Sequence, residues 1–589
     1  MSSIPPAVIF ILGALLVPLF RDKSKNIFII FLPIAAFYLI TQLETGSFWH
    51  YHLYGHDLTL LRVDKISKAF GYIFTINAFA AFVYAFYLKD NTQHMAALFY
   101  VGSSLGVVFS GDLISLYFYW EIMAVSSTIL ILARRTQRAL NAGMRYILVH
   151  LFGGLCLLAG LVFHVSQTGS VSFDAMTQQS LGTVLMLIGI LVNAAAPPFS
   201  AWLSDAYPES TVTGGVILSA YTTKTAVYTL VRGYPGWEVL IIVGCIMTIY
   251  GIIYALLEND MRRILAYSII NQVGFMVVGV GIGTTMSLNG TIAHAFCHII
   301  YKALLWMSAG AVLAMTGRSK CTDLGGLYKT MPWTLLFGVI GALSISSFPG
   351  TSGFTSKTLI IEGSIQEHLA WVWMVLEIAS AGVFLHAGIK FPYFVFFAKD
   401  RGLRPGEANK SMLMAMGFLS FLCIFLGVYP QPLYAILPFE VNYQAYTLHH
   451  VVNQLQLLMF SALVFFLFLP LLKRTETVSI DTDWFYRRGG HFFYRMVDKG
   501  LNGLNEIAER VFAVRFPEVL GKVSREFPWR LSLLIVKPVW ILRGSGPEEL
   551  EAKRDALRRS LDVGAAPVGI GAAVATAFLL LFFILTDLL

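Results

Sequence analysis

Long apolar runs follow one another along the chain, separated by short polar stretches. A helix that crosses a bilayer needs about 20 mostly apolar residues, within a range of roughly 17–25. By that measure the pattern predicts about sixteen segments. They lie near 4–20, 26–43, 68–88, 94–110, 112–133, 145–166, 182–202, 211–231, 238–257, 263–283, 288–315, 332–347, 369–398, 411–435, 454–473 and 565–588. Each run is continuously apolar and too long for a barrel strand, so helices are expected. The fold class is an all-α polytopic membrane protein with about 14–16 transmembrane helices.

Two segments are interrupted. The seventh holds Ala196-Pro197-Pro198-Phe199, and the twelfth runs into Phe348-Pro349-Gly350-Thr351-Ser352-Gly353. Proline removes a helical hydrogen bond and clashes with the preceding turn. In lipid, the freed backbone survives only where protein or water satisfies it. One such site reads equally well as a packing kink. Two in corresponding places, an odd five segments apart, favour two inverted five-helix repeats around a transport site. The resulting division is N-terminal helices in 1–93, a first repeat in 94–231 and a second in 238–398. Helices in 411–473, a cytoplasmic or interfacial tail in 474–563 and a last helix in 565–588 follow.

Charge orients the segments. Basic residues cluster after odd-numbered segments: 21–25, 134–138 with Arg145, 258–263, 317–320, 399–405, and the tail from Lys473. Loops after even-numbered segments are nearly free of Lys and Arg, with Arg62, Lys65 and Arg232 as the main exceptions. Positive loops face the cytoplasm. One parity therefore fits the whole chain and puts both termini outside a cell (cytoplasmic or inner) membrane. At the N-terminus the charge follows the apolar run, which favours a retained helix over a secretory signal.

Composition agrees. Of 589 residues, 57% are hydrophobic and 13% charged, against roughly 25% charged in a soluble domain. The net charge of +8 sits mostly in loops, where it sets topology and gives no reason to expect nucleic acid. Cys156, Cys245, Cys297, Cys321 and Cys423 are scattered singly, against iron–sulfur clusters, structural zinc or a disulfide framework. No P-loop or dinucleotide fingerprint occurs. No cofactor, metal or redox site of its own is expected.

Ionisable residues inside the membrane carry the candidate chemistry. Each costs on the order of 2.5–3.5 kcal/mol at mid-bilayer and persists mainly facing protein or water. Glu121 lies in segment five, Lys224 in segment eight and Lys302 in segment eleven. Lys357 follows the break of segment twelve, and Lys390 is late in segment thirteen. His294, His298 and Lys302 are spaced four apart, which sets them on one helix face. Such a line suits proton transfer, since histidine titrates near neutral pH; singly, each histidine could as well bond backbone. Desolvation disfavours the charged form of a buried lysine, so a moving charge such as Glu121 could drive its proton off. His386 and Lys390 repeat the spacing near a helix end, where lysine can snorkel. Asp205 and Glu209, after segment seven, read as helix-end or solvated groups.

Several runs now carry a resemblance. They are Trp120-Glu121, Ala196-Pro-Pro-Phe-Ser-Ala-Trp-Leu-Ser-Asp205, Glu258-Asn-Asp260-Met-Arg-Arg, Asn271-Gln-Val-Gly274, His294-Ala-Phe-Cys-His298 with Lys302, and Ser352-Gly353-Phe354-Thr355-Ser356-Lys357. Over roughly residues 70–430 the chain resembles the antiporter-like subunits of respiratory complex I and of Mrp-type multisubunit sodium/proton antiporters, and among these the Mrp-type D subunits most closely. The resemblance implies two inverted repeats, each with a broken helix, around a polar mid-membrane axis. It makes Glu121 the glutamate of helix five and Lys224 the lysine of helix eight. Lys302 becomes the central lysine and Lys357 that of broken helix twelve. One departure stands out: the family usually has a lysine on broken helix seven, where this chain has Asn193. Either Lys224 takes that role or this half no longer pumps.

The resemblance implies a proton-translocating subunit that works with other subunits and moves protons and Na+ or another monovalent cation. The alternatives are a proton-pumping subunit of a complex I-like oxidoreductase or membrane-bound hydrogenase, and a scaffold whose channel is dead. In the tail, Gly500, Gly503, Pro517, Pro528 and Pro538 argue against one unbroken helix. Pro547, Glu548 and Glu549, with Arg558 and Arg559 further on, predict a short helix with dipole-matched ends.

Overall fold

The computed structural model describes residues 4–53, 55–472, 475, 481–562 and 568–587. It divides into two units, Met1–Asp483 and Trp484–Leu589. In the first, the apolar runs are helical and the short polar stretches between them supply many of their caps. Asp64, Asp112, Thr136, Ser180, Thr211 and Thr284 each accept a hydrogen bond from a backbone N–H in the first helical turn.

Helices α1 (Pro6–Leu16) and α2 (Asp22–Gln42) come first. Then the chain departs from an all-helical reading. Strands β1 (Gly46–Leu53) and β2 (His56–Val63) form an antiparallel hairpin with Gly46 opposite Val63. Leu58, Leu61 and Val63 on β2 are buried, a partly alternating pattern that suits a half-covered strand. Helix α3 (Lys65–Tyr84) leads into the repeats.

The first five-helix stretch comprises α4 (Asn91–Phe109), α5 (Leu113–Leu132), α6 (Gln137–Thr168), α7 (Leu181–Asn193) with α8 (Ala201–Ala206), and α9 (Val212–Leu218) with α10 (Thr222–Gly233). The second comprises α11 (Val239–Leu257), α12 (Met261–Ile282), α13 (Thr285–Thr316), α14 (Pro332–Ile345) with α15 (Ser352–Gln366), and α16 (Ala370–Val383). Helix α16 continues in the π-helical stretches Phe384–Lys390 and Tyr393–Phe397. Helices α17 (Lys410–Val428), α18 (Gln431–Ala435) and α19 (Leu448–Leu467) complete the bundle.

Both expected breaks are present, and they are built alike. Ala195 (φ 61°) and Ser347 (φ 58°) adopt left-handed backbone just past the ends of α7 and α14. The Ala196 N–H then donates to the Leu191 carbonyl, and the Phe348 N–H to the Leu343 carbonyl, both at 3.0 Å. Helices α6 and α13 also correspond: each has 32 residues, a threonine N-cap and a left-handed glycine at its C-cap.

Two segments differ from expectation. Segment twelve does not end near 347 but resumes after the break as α15. Segment eight is itself divided at Ser219–Tyr221, between α9 and α10. Among the described residues, ten helices are long and apolar enough to cross a membrane, and four more apolar helices are shorter. The first, seventh and twelfth segments fall among the short ones, because proline or a break cuts each.

Glycines bring some helices into backbone contact. A Cβ placed on Gly160 of α6 would lie 2.5 Å from the Met186 amide nitrogen of α7. One on Gly244 of α11 would lie 2.6 Å from the Gly274 carbonyl oxygen of α12. Either distance is far inside van der Waals contact, so only glycine fits. Two of the basic exceptions to the charge parity are also explained. Arg232 pairs with Asp64 at 2.7 Å, and Arg62 pairs with Asp64 at 3.8 Å and Asp174 at 2.9 Å.

The second unit corrects the tail reading. Helix α20 (Asp483–Ala508), a π-helical stretch Glu509–Arg515 and α21 (Phe516–Leu542) follow without a gap. Pro517 is the second residue of α21, directly after the π stretch, and like the prolines beyond it lacks one backbone N–H. Pro528 and Pro538 lie inside α21, where each removes a single backbone hydrogen bond. Helix α22 (Pro547–Leu561) starts on proline, with Glu548 and Glu549 in its first turn and Arg558 and Arg559 in its last, as expected. The last helix is α23 (Val568–Asp587).

Candidate functional site

Three buried lysines sit where helices stop. The Lys224 ammonium donates to the Ser219 carbonyl at 2.7 Å, at the C-cap of α9, and to the Thr223 hydroxyl at 3.1 Å. Lys357 donates to the Ile345 carbonyl at 3.2 Å, the last residue of α14 before the break. Lys390 donates to the carbonyls of Ala255, Leu256 and Glu258 at 2.7–2.8 Å, closing the end of α11. Carbonyls at a helix C-terminus carry partial negative charge and favour a cation. Breaking a helix inside the membrane thus supplies the counter-charge that a buried lysine needs. Lys390 is fully buried and does not snorkel.

Lys302 lies in unbroken α13 and donates to the Leu265 carbonyl of α12 at 3.2 Å. Its face of α13 carries His298 and His294 as the spacing predicts. The His294 and His298 rings are 6.2 Å apart, and Tyr301 stands edge-on to His298 at 5.3 Å. His294 meets Gln272 Oε1 at 3.1 Å and the Ser356 hydroxyl at 3.3 Å. Tyr301 donates to the same Gln272 oxygen at 3.2 Å. His298 is buried, and neither ring nitrogen has a hydrogen-bond partner among the described residues.

The two repeats meet where α10 packs on α13, and there the charge of Lys224 is felt at Lys302, His298 and His294. Lys357 acts on His294 and lies over the Phe275 ring at 5.1 Å. His386 is coupled to Lys302, Lys390 and Lys357, while its Nδ1 meets the Gly382 carbonyl at 2.7 Å. Lys357 is in turn coupled to Glu377 of α16. Glu377 lines a cavity of about 800 Å³ together with Glu362, His449, His450, Asn453 and Gln454. Gln454 donates to the Ser346 carbonyl, at the lip of the α14–α15 break.

Glu121 does not join this row. Among the described residues, no ion pair connects it with Lys224. It is half-buried on α5 and lines a separate groove of about 610 Å³ with Thr92, Met95, Phe99 and Ser126. Its Oε1 has no hydrogen-bond partner among the described residues and presses on the backbone of Gly154 in α6. Asp205 pairs with Arg145 at 2.7 Å and Glu209 with Arg134 at 3.3 Å, the helix-end role expected of them.

Sequence reasoning missed several polar groups. Gln272, Tyr301, Ser356 and Glu377 extend the row between α12, α13, α15 and α16. Asn193 meets His150 of α6, its Oδ1 lying 2.7 Å from the ring Nδ1. Asp481, ahead of α20, accepts hydrogen bonds from Tyr267 at 2.5 Å and from Tyr250. Counting from Gln137 and Thr285, which begin the two 32-residue helices, sets His150 level with His298. That register depends on the observed helix starts; the apolar runs near 145–166 and 288–315 begin at unequal distances from the two histidines.

Residues 110–383 match a family model described as NADH:quinone oxidoreductase/Mrp antiporter, transmembrane. The D subunit of the Na(+)/H(+) antiporter of Alkalihalophilus pseudofirmus is 25% identical over 472 residues, covering 73% of this chain and 94% of that protein. A chain of the Mrp complex from Dietzia sp. DQ12-45-1b superposes with a TM-score of 0.67 at 20% identity, covering 74% of this chain and 95% of its own. A chain of the membrane-bound sulfane sulfur reductase, an archaeal respiratory membrane complex, gives a TM-score of 0.71 at 23% identity, covering 91% and 100%.

Proposed function

We propose that this chain, an antiporter-like subunit by the NADH:quinone oxidoreductase/Mrp antiporter module in its residues 110–383, translocates protons within a multisubunit monovalent cation/proton antiporter of the Mrp type. The observation that carries this reading is the buried row from Lys224 through His298, Lys302 and His294 to Lys357, which crosses from one repeat to the other. Among the described residues, the hydrogen-bond partners of these lysines are carbonyls and one hydroxyl. The charge on one therefore bears directly on the next, because a low-dielectric interior screens it little.

In this reading a proton arriving on one group disfavours protonation of its neighbour and pushes a proton onward. His294, Gln272 and Tyr301 offer a hydrogen-bonded path between them. Glu377 and the cavity beside it connect Lys357 to the outer surface. Lys390, held on three carbonyls, serves as a fixed charge. Arginine would serve poorly at Lys302, because it does not release a proton in the working range. The chain sits in the cytoplasmic (inner) membrane with both termini outside, as the charge parity requires.

The purified complex in proteoliposomes tests this. Adding Na+ or another monovalent cation should collapse an imposed pH gradient, and no such coupling would refute an antiporter. A second reading has its own support: the respiratory-complex chain matches 91% of this one, whereas the Mrp chain matches 74%. It makes the same row the pump of a redox-driven complex. Mass identification of co-purifying subunits separates the two.

A further inference from the structure

The first repeat lacks a lysine at Asn193, and Lys224 donates to the Ser219 carbonyl and the Thr223 hydroxyl. What meets Asn193 is His150, at the middle of α6 and buried. With Asn193 Oδ1 accepting, the ring carries its proton on Nδ1, and Nε2 is left as the free base. That Nε2 is buried and has no hydrogen-bond partner among the described residues, and neither has Asn193 Nδ2. A buried polar atom without a partner is costly, so a protein that keeps one next to a titratable ring invites a functional explanation.

The internal repeat supplies that explanation. Helices α6 and α13 match in length, N-cap and C-cap. In register, Tyr146 stands where His294 stands, His150 where His298 stands, and Gly154 where Lys302 stands. The second repeat thus has a histidine next to its own cation one turn on. The first has the same histidine next to a glycine, and into that opening reaches the Glu121 carboxylate of α5.

We propose that His150, oriented by Asn193, is the proton-carrying group of the first repeat, in place of a lysine on α7. The inference rests on the proton-translocating reading above. The step is a proton transfer alone. An N–H bond forms at Nε2 as a proton arrives, giving imidazolium, and breaks with the electron pair left on nitrogen as it departs. The Nδ1–H bond to Asn193 is kept throughout. Nothing is oxidised or reduced.

The surroundings leave that charge free to act. The Tyr146 ring on α6 lies 4.1 Å away and the Trp202 ring on α8 4.6 Å, with Tyr207 behind Trp202 at 5.6 Å. The charged groups on the elements around α6 include Glu121 on α5, the Arg145–Asp205 pair, Glu209, which pairs with Arg134 at 3.3 Å, and Lys224 on α10, which packs against α7. Arg145 and Asp205 neutralise each other at 2.7 Å. Glu121 reaches Gly154, one helical turn along α6 from His150.

The test uses the intact complex in proteoliposomes. His150→Gln keeps a side chain that can bond Asn193 but does not titrate, and it should lower proton flux at least about tenfold with assembly unchanged. Asn193→Asp puts a carboxylate on Nδ1–H, favours imidazolium, and should move the pH profile of flux upward by about 1–3 units. A purely structural histidine would leave that profile in place. Wild-type flux in His150→Gln, or an unmoved profile in Asn193→Asp, overturns the assignment. Should His150→Gln fail to assemble, the Asn193→Asp profile decides. Lys302→Ala measured in parallel separates the two ideas: if it too keeps full flux, the proposed function has failed; if only His150→Gln does, the function stands and His150 is structural.

Discussion

Arg232, at the end of α10, donates to the Asp64 carboxylate at 2.7 Å across 168 residues of chain. Asp64 also caps α3 through the Ser67 N–H at 2.8 Å. Burial alone would raise its pKa, but Arg232 and the Ser67 N–H outweigh burial and hold it below the ordinary value. A depressed carboxyl stabilises the fold above its unfolded pKa and stops doing so as pH falls through the folded one. The thermal stability of the purified protein should therefore decline below about pH 4. Asp64→Asn should cost roughly 1–3 kcal/mol at neutral pH and flatten that decline. Identical acid profiles for variant and wild type would show that this pair does not matter.

Lys302 is the single cation of the row on an unbroken helix, and it links the histidines of α13 to Lys224. Lys302→Ala should reduce proton-coupled flux at least about tenfold while the complex still assembles, since a small apolar side chain is cheap in a membrane. Lys302→Arg should be nearly as poor. Flux assays on vesicles of matched protein content decide it.

Orientation is open to labelling. A cysteine in the 134–142 loop should react with an impermeant reagent only from the cytoplasmic side, and one in the 440–450 loop only from outside. Reaction of both from one side would break the sixteen-segment parity.

Glu377 lines the 800 Å³ cavity and lies within electrostatic reach of Lys357. Glu377→Gln removes the charge with little change of shape. It should cut flux severalfold, roughly a factor of 5–10, and leave thermal stability near wild type. Bulky modification of a cysteine at Asn453, in the cavity wall, should block the same flux from outside. Unimpeded transport after complete modification would show that the cavity is not on the path.

Because Glu121 and Lys224 are not paired, their losses should combine independently. The flux deficit of the double variant should equal the product of the single deficits, as for distant sites. A double variant no worse than either single one would mean that the two groups act as one after all.

The helices were legible because lipid enforces them: an apolar run of membrane length has no other way to satisfy its backbone. Both breaks were legible for the converse reason, since proline and glycine sit at them. The row on α13 could be read from spacing alone. Other features were hidden for identifiable causes. His150 is an isolated histidine in an apolar segment, and its meaning comes from Asn193 on another helix. Lys390 near a segment end looked free to snorkel, and only the fold shows the carbonyls of α11 around it. The hairpin at 46–63 has an alternation too weak to stand out among long apolar runs. In the tail, prolines at 517, 528 and 538 suggested breaks, yet one lost hydrogen bond each is not enough to end a helix of this length.

The glycine seams between α6 and α7 and between α11 and α12 have a mechanical meaning. Transporters that expose a site first to one side and then to the other do so by sliding or tilting one group of helices past another. Where backbones touch, as at Gly160 and Gly244, there is no cushion of side chains to shear, and any slip would drive main-chain atoms into one another. The α6–α7 and α11–α12 pairs are therefore each welded into a single piece. Movement that serves proton transfer in the proposed reading must either stay within side chains and the few residues at the breaks or carry a welded pair as one rigid body.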